Sequence, residues 1–363
     1  MKFQAEKKNV RVTGRTIYRE GIRYLGYSAT AVSFCFTGTK AIATLISDAE
    51  SRAEAERAWV AVFVGESRQP EKRICLQRDR QDVVLYESSE TKTVQVTLMK
   101  FSEAEFASCG IVELEIADGN APGQEKLLPP PAHKERQIEF FGDSITCGYG
   151  VEGDVDNLEF NTAEENPMKS YSMITAGLLD AEANLVSWNG KGVISAYVGD
   201  VENVDADTSW LMPDLYPYTD AGRERDYFGT PREQWELWNF SDYKPQLVII
   251  YLGTNDASYT REIPERNKRF EDAYVNMLGM IREKNPGVSI LCTIGTMDPR
   301  LNETIEGSVA RYKRENPDCN IRFVLLPEQI EEDGLGTFWH PTEATNRKSA
   351  KIIAEAAKEM MGW

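Results

Sequence analysis

Histidine is nearly missing from this chain: 363 residues contain two, His133 and His340. A chemistry that needs an imidazole base therefore has few places to find one, and His133 lies in a proline-rich stretch. Cysteine is sparse and scattered, at 35, 75, 109, 147, 292 and 319, with no Cys-x-x-Cys pair. That spacing supports neither a zinc site nor a disulfide framework, so reduced thiols are the plain reading. No apolar run approaches the roughly 20 residues that a membrane-spanning helix needs. Positive charge is in deficit, with 41 Lys and Arg against 58 Asp and Glu and a formal charge of −17. Nucleic acid and anionic membrane are poor partners for such a chain, because both require a basic face. The opening MKFQAEKKNVRVTGRT lacks the apolar core of a secretory signal, so a cytoplasmic location is expected. A secreted chain already relieved of its signal is the alternative. Internal repeats and low-complexity tracts are also lacking.

What is there divides into two grammars. The length exceeds what one core usually holds, which favours two domains. Residues 1–126 read as strands: VRVTGRTIY, IRYLGYSATAVSFCFTG, AIATLIS, AWVAVFVG, RICLQ, DVVLYE, KTVQVTLMKF and IVELEIA. They are rich in β-branched and aromatic residues and broken by polar or glycine-containing stretches. Only SRAEAERAW and SEAEFASC offer short helical turns. Many strands without intervening helices predict an all-β sandwich, jelly-roll-like. Residues 127–137, LLPPPAHKERQ, form a linker that three prolines hold extended.

From 138 to 363 the pattern changes. IEFFG, ANLVSW, QLVIIYLG, VSILCTIG and IRFVLLP are near-continuous apolar runs, as strands covered on both faces should be. Helical stretches alternate with them: SYSMITAGLLDA, RNKRFEDAYVNMLGMIREKN, ETIEGSVARYKREN and, after Pro341, ATNRKSAKIIAEAAKEMM. This alternation predicts an α/β domain, a parallel sheet with helices on both sides.

Open parallel sheets bind ligands beyond the carboxyl ends of their strands, and those ends carry chemistry here. After IEFF comes Gly142-Asp143-Ser144; after ANLVSW, Asn189-Gly190-Lys191-Gly192; after QLVIIYL, Gly253-Thr254-Asn255-Asp256. His340-Pro341 precedes the last helix. Ser144 by itself is either a helix cap or a nucleophile. Together with the other three turns it fits acyl transfer. A serine hydroxyl needs a base within reach, which His340 supplies. The oxyanion needs donors, and Ser144 N–H, Gly190 N–H and the Asn255 amide are the candidates. Asp143 and Asp256 are expected to brace their turns through backbone N–H groups, and Cys147 to pack behind the serine.

These four blocks resemble those of the SGNH, or GDSL-type, hydrolase superfamily. GDSITCGYGVEG, LMPDLYPYT, YLGTNDAS and HPT are similar to carbohydrate esterase family 2 in particular. The resemblance implies a three-layer α/β/α SGNH hydrolase domain behind a β-sandwich. It also implies an acetyl xylan esterase-like activity through an acyl-enzyme on acetylated xylo-oligosaccharides or related plant-polysaccharide fragments. Ser144 is then the nucleophile and His340 the base, with Ser144, Gly190 and Asn255 as the oxyanion hole and Gly192 the alternative to Gly190. No metal or organic cofactor is implied, and a homo-oligomer is compatible with the sequence.

One position departs from the superfamily. The acid expected three residues before the histidine is replaced by Thr337. The resemblance therefore implies a Ser-His dyad, with a backbone carbonyl, that of Trp339, orienting the imidazole. Asp333 is the competing acid. Trp339 and Trp210 are candidates for stacking on a sugar ring, against a bland role as core filling. Two other functions stay open: a lipase or thioesterase acting on longer acyl groups, and a carbohydrate-binding protein with an inactive hydrolase domain.

Overall fold

Alternating apolar residues in AVSFCFTGTKAIATLIS run through one unbroken strand, β1 (Ala31–Ser47), in the computed structural model of the chain, which describes residues 1–157, 159–199, 201 and 203–363. Its partner β2 (Arg80–Lys100) is longer still. Each joins two of the segments that the sequence pattern separates, AVSFCFTG with AIATLIS and DVVLYE with KTVQVTLMKF. β1 pairs antiparallel with β2 on one edge and with β3 (Cys109–Ala117) on the other. Register shifts between Gly38 and Lys40, and between Ala41 and Ile42, interrupt the β1–β2 ladder. Such bulges bend a strand and raise its twist. A long sheet can then curl over its own core, which holds Phe34, Phe36, Val60, Val62, Leu98, Ile111 and Leu114. This is the expected all-β domain. SRAEAERAW supplies two short 3₁₀ turns, Ala49–Ser51 and Glu54–Glu56, whereas SEAEFASC forms no helix.

The β unit comprises Met1–His133, Asn161–Glu165 and Thr219–Glu236. It therefore runs past residue 126 and takes in two excursions from the later sequence. Much of the expected linker is tied down: Lys126–Leu127 pair with β1, Leu128 N–H donates to Cys35, and Arg11 donates to the Ala132 carbonyl.

The second unit comprises Lys134–Phe160, Asn166–Tyr218 and Leu237–Trp363. All five apolar runs become strands: β4 (Arg136–Gly142), β5 (Ala181–Ser187), β6 (Leu247–Tyr251), β7 (Ser289–Ile294) and β8 (Ile321–Leu325). They pair in parallel in the order β5-β4-β6-β7-β8. The first connection moves one way from β4, and the later ones move the other way from β6. Right-handed crossovers therefore put their helices on opposite faces. β4 runs into a single helical turn, α1 (Ser144–Cys147), and α2 (Tyr171–Leu178) leads to β5. α3 (Thr254–Thr260) and α4 (Pro264–Lys284) follow β6, and α5 (Asn302–Glu315) follows β7. The last helix, α6 (Glu343–Met361), packs on α2, and α4 packs on α5. α5 buries Ile305, Ser308, Val309 and Tyr312, the spacing of one helical face. Among the described residues no helix is long and apolar enough to cross a membrane.

Phe140 sits fully buried in β4, edge-to-face with Tyr171 at 6.1 Å. Phe140→Ala should cost about 3–5 kcal/mol of stability, the usual range for a buried aromatic, read as a lower urea midpoint. A loss below about 1 kcal/mol would show that β4 does not form this core.

Candidate active site

Three strands end level. Gly142 of β4 pairs with Ser187 of β5 on one side and Tyr251 of β6 on the other. Their three following turns leave the sheet where the strand order reverses, the usual ligand position in such sheets. The capping of α1 falls to Asp143, whose Oδ1 accepts the Ile145 N–H at 3.0 Å. Ser144 is the residue after the cap, and its hydroxyl goes elsewhere. Its Oγ lies 2.9 Å from His340 Nε2.

The other imidazole nitrogen, Nδ1, lies 3.0 Å from the main-chain oxygen of Thr337. A carbonyl only accepts, so Nδ1 carries the proton and Nε2 is left to accept from the serine hydroxyl. The carbonyl expected in this place was that of Trp339. Instead Trp339 O is 2.7 Å from Gln329 Nε2 and accepts from it. The reason is backbone conformation. Phe338 and Trp339 have φ of 51° and 66°, a left-handed pair that folds the chain back. Thr337 O is left facing Nδ1, also accepting the His340 N–H at 3.2 Å. Non-glycine residues in this region cost on the order of 1–3 kcal/mol each and persist only where surroundings enforce them. The enforcing bonds are Gly336 N–H to His340 O at 2.8 Å, Trp339 N–H to Gly336 O at 3.0 Å, and the bridge of Leu335 with Pro341.

The serine and histidine loops are also joined to each other. Thr337 N–H donates to Gly150 O at 3.1 Å. A Cβ on Gly336 would stand 2.3 Å from Gly150 O, and one on Gly150 2.9 Å from Thr337 O. Glycine at these positions is what lets the two backbones touch. Tyr149, between the glycines of GYG, lays its ring 4.7 Å from the His340 imidazole and stacks on Phe160 at 4.3 Å.

Burial therefore dominates the electrostatics. Desolvation lowers the His340 imidazole to about 4, with only the main-chain bonds to Thr337 and Phe338 acting the other way. Asp333 does not face it. Its Oδ2 is 2.5 Å from Lys348 Nζ, and its carbonyl accepts from Thr342. Burial raises Asp143 to about 7 and Asp256 to about 6, in each case against backbone N–H donors. Asp256 accepts from three, those of Val193, Ile194 and Ser195, at 2.7–3.1 Å. Cys147 is fully buried, its Sγ 3.2 Å from the Ser144 carbonyl.

Asn255 connects the other turns. Its Nδ2 donates to Lys191 O at 2.9 Å and lies 3.5 Å from Asp143 Oδ2, a weak contact at that length. Gly190 has φ of 70°, and a Cβ there would meet nothing within 4 Å. Gly192 is different: its Cβ would stand 2.4 Å from Asp256 Oδ2. Gly190 thus borders open space and Gly192 is packing. Trp339 is 60 % exposed beside His340. Trp210 is half-buried, its ring 5.8 Å from that of Trp188 at the end of β5. Tyr149, Gln329 and the carbonyl of Thr337 were not singled out from the sequence. Only Tyr149 carried a signal, its place inside the serine motif. Among the described residues no group of histidine, cysteine and carboxylate side chains could hold a metal ion.

The GDSL-like lipase/acylhydrolase family matches residues 140–348, and the carbohydrate esterase 2 N-terminal domain matches residues 12–131. The chain is 31% identical over 341 residues to the cellulase/esterase CelE of Acetivibrio thermocellus, covering 93% of this chain and 38% of that protein. It thus spans well under half of that relative. An acetylxylan esterase / glucomannan deacetylase of Cellvibrio japonicus is 25% identical, with 99% of this chain and 91% of that one covered. A family two carbohydrate esterase from Clostridium thermocellum, solved in complex with cellohexaose, superposes with a TM-score of 0.81 at 29% identity over 98% of this chain and 99% of that one.

Because Asp333 pairs with Lys348 and not with His340, Asp333→Asn should leave turnover within about threefold of the parent. In a Ser-His-Asp triad the corresponding change lowers turnover about 10⁴-fold through the wrong tautomer. A loss of that size in a folded variant would make Asp333 the acid after all.

Proposed function

The chain belongs to the GDSL-like lipase/acylhydrolase family, in its carbohydrate esterase family 2 branch, and on that footing we propose that it is a serine esterase removing O-acetyl groups from acetylated xylo-oligosaccharides or related plant-polysaccharide fragments. The observation that carries the reading is the relay from Ser144 Oγ to His340 Nε2 at 2.9 Å, and from Nδ1 to Thr337 O at 3.0 Å.

In this reading Ser144 Oγ attacks the acetyl carbonyl carbon as His340 Nε2 takes its proton. The carbonyl oxygen becomes an oxyanion, received by Ser144 N–H, Gly190 N–H and Asn255 Nδ2. The tetrahedral species collapses, breaking the bond to the sugar oxygen, which leaves with the proton from Nε2. Water then attacks the acetyl-serine with His340 as base, releasing acetate and restoring the hydroxyl. The imidazolium that forms twice in this cycle rests on a carbonyl dipole, which stabilises it less than a carboxylate would.

A sugar as the leaving alcohol is supported by the exposed indole of Trp339 next to His340, a flat apolar surface of the kind sugar rings stack on. The names of two relatives, acetylxylan esterase / glucomannan deacetylase and family two carbohydrate esterase, favour the same substrate class. Longer acyl groups are the competing reading, and it is less favoured because the strand-end turns carry Trp, Asn and Asp rather than an apolar lining.

Two variants, a covalent label and a comparison of substrates test the proposal. Ser144→Ala should reduce acetate release from acetylated xylo-oligosaccharides to background, and a phosphonate should label Ser144 in the parent. Asn255→Ala should lower turnover about a hundred- to a thousandfold, the usual effect of one oxyanion donor, with much less change in KM. Preference for long-chain esters over acetylated sugars would reverse the substrate assignment. Activity in Ser144→Ala would end the mechanism.

A further inference from the structure

The turn bearing Gly190 is gripped from outside by one helical turn. Asn255, Asp256 and Ser258 all lie in α3, and each holds a different part of the segment after β5. Asn255 Nδ2 donates to Lys191 O at 2.9 Å. Asp256 Oδ1 accepts the N–H groups of Val193 at 2.9 Å, Ile194 at 2.7 Å and Ser195 at 3.1 Å, and Oδ2 also lies 2.9 Å from Val193 N. Ser258 Oγ accepts the Val198 N–H at 3.1 Å. Tyr197 N–H donates back to Gly190 O at 2.8 Å, which closes the loop on itself.

Asp256 is the centre of this grip. It is fully buried, and three successive N–H groups converging on one carboxylate form an anion nest inside the chain's own fold. Gly192 rests on the same group, with no room for a Cβ. A turn held this way cannot shift its main chain without breaking several charge-assisted bonds together.

Resting on the acyl-transfer reading above, we propose that Asp256 is a positioning residue for the oxyanion hole, fixing the 190–195 turn so that the Gly190 N–H is aimed before charge develops. Donors aimed in advance stabilise a transition state because nothing reorganises during reaction. Loosening the nest leaves the donor present and poorly aimed. The loss should then be smaller than deletion of a donor, and it should fall on turnover rather than on substrate binding.

The test substitutes Asp256→Asn, which keeps the volume but replaces one acceptor oxygen by an NH₂ facing backbone N–H groups. Turnover on an acetyl ester should fall about ten- to a hundredfold, with KM within about threefold. Affinity for a small alkylboronic acid, whose serine adduct places an oxygen in the hole, should fall by the same factor as turnover. Circular dichroism and melting confirm that the variant is folded; if it is not, Gly192→Ala, whose Cβ would press on Ser195 O and on Asp256 Oδ2, disturbs the same nest from the other side and should show the same pattern. A purely structural role would not link turnover to boronate affinity. Unchanged turnover and boronate affinity, or a rise in KM alone, would overturn the proposal. Ser144→Ala run alongside separates the two ideas: a dead serine variant with a fully active Asp256→Asn sinks this inference only, while an active serine variant sinks the acyl-transfer reading itself.

Discussion

The hydrogen bond from His340 Nδ1 to the main-chain oxygen of Thr337 is the contact on which the rest of the site depends. It assigns the ring proton to Nδ1 and leaves Nε2 as an acceptor toward Ser144. A carboxylate would do the same and would also hold a positive ring. The carbonyl orients without supplying a full charge. Burial meanwhile penalises the imidazolium, so the resting ring is held firmly neutral. Tyr149 lies beside the ring with Phe160 stacked on it, and the backbones of Gly150 and Gly336 press the two loops together. All of these arrangements serve to keep one acceptor nitrogen near one hydroxyl.

Placing that carbonyl requires an unusual stretch of chain. Two successive non-glycine residues take left-handed conformations immediately before the histidine. Their strain is balanced by main-chain bonds at 336, 337 and 339 and by the Gln329 amide on Trp339 O. The same conformation leaves the side chains of Phe338 and Trp339 exposed. One turn therefore both orients the His340 ring and leaves an exposed indole next to it in the chain.

Much of the α/β unit was legible in residue pattern. Five apolar runs became five parallel strands, and three of the four candidate turns follow level strand ends, because a strand buried on both faces leaves a plain mark in composition. What stayed hidden lacks a side-chain signature. A carbonyl is carried by every residue, so the choice between Thr337 and Trp339 rested on φ values that no residue type announces. The bulged strands β1 and β2 read as shorter pieces because glycine and polar residues at 38–40 and 87–92 look like breaks. Segments 161–165 and 219–236 join the β unit through tertiary contacts, and nothing in their composition sets them apart. Asp333 is the competing acid in the sequence, but its carboxylate is taken by Lys348.

The most direct test is the protonation of His340, followed by ¹⁵N NMR of the imidazoles in a chain with only two histidines, His133→Asn assigning the signals. The folded ring is lowered to about 4 from the ordinary 6.5 or so. Between those values the unfolded chain binds the proton and the folded one does not, so stability falls as pH falls through that window. The account predicts a neutral Nδ1–H tautomer that persists at pH 5.5 in the folded protein. A His340 that titrates at or above about 6.5, or that carries its proton on Nε2, would contradict it.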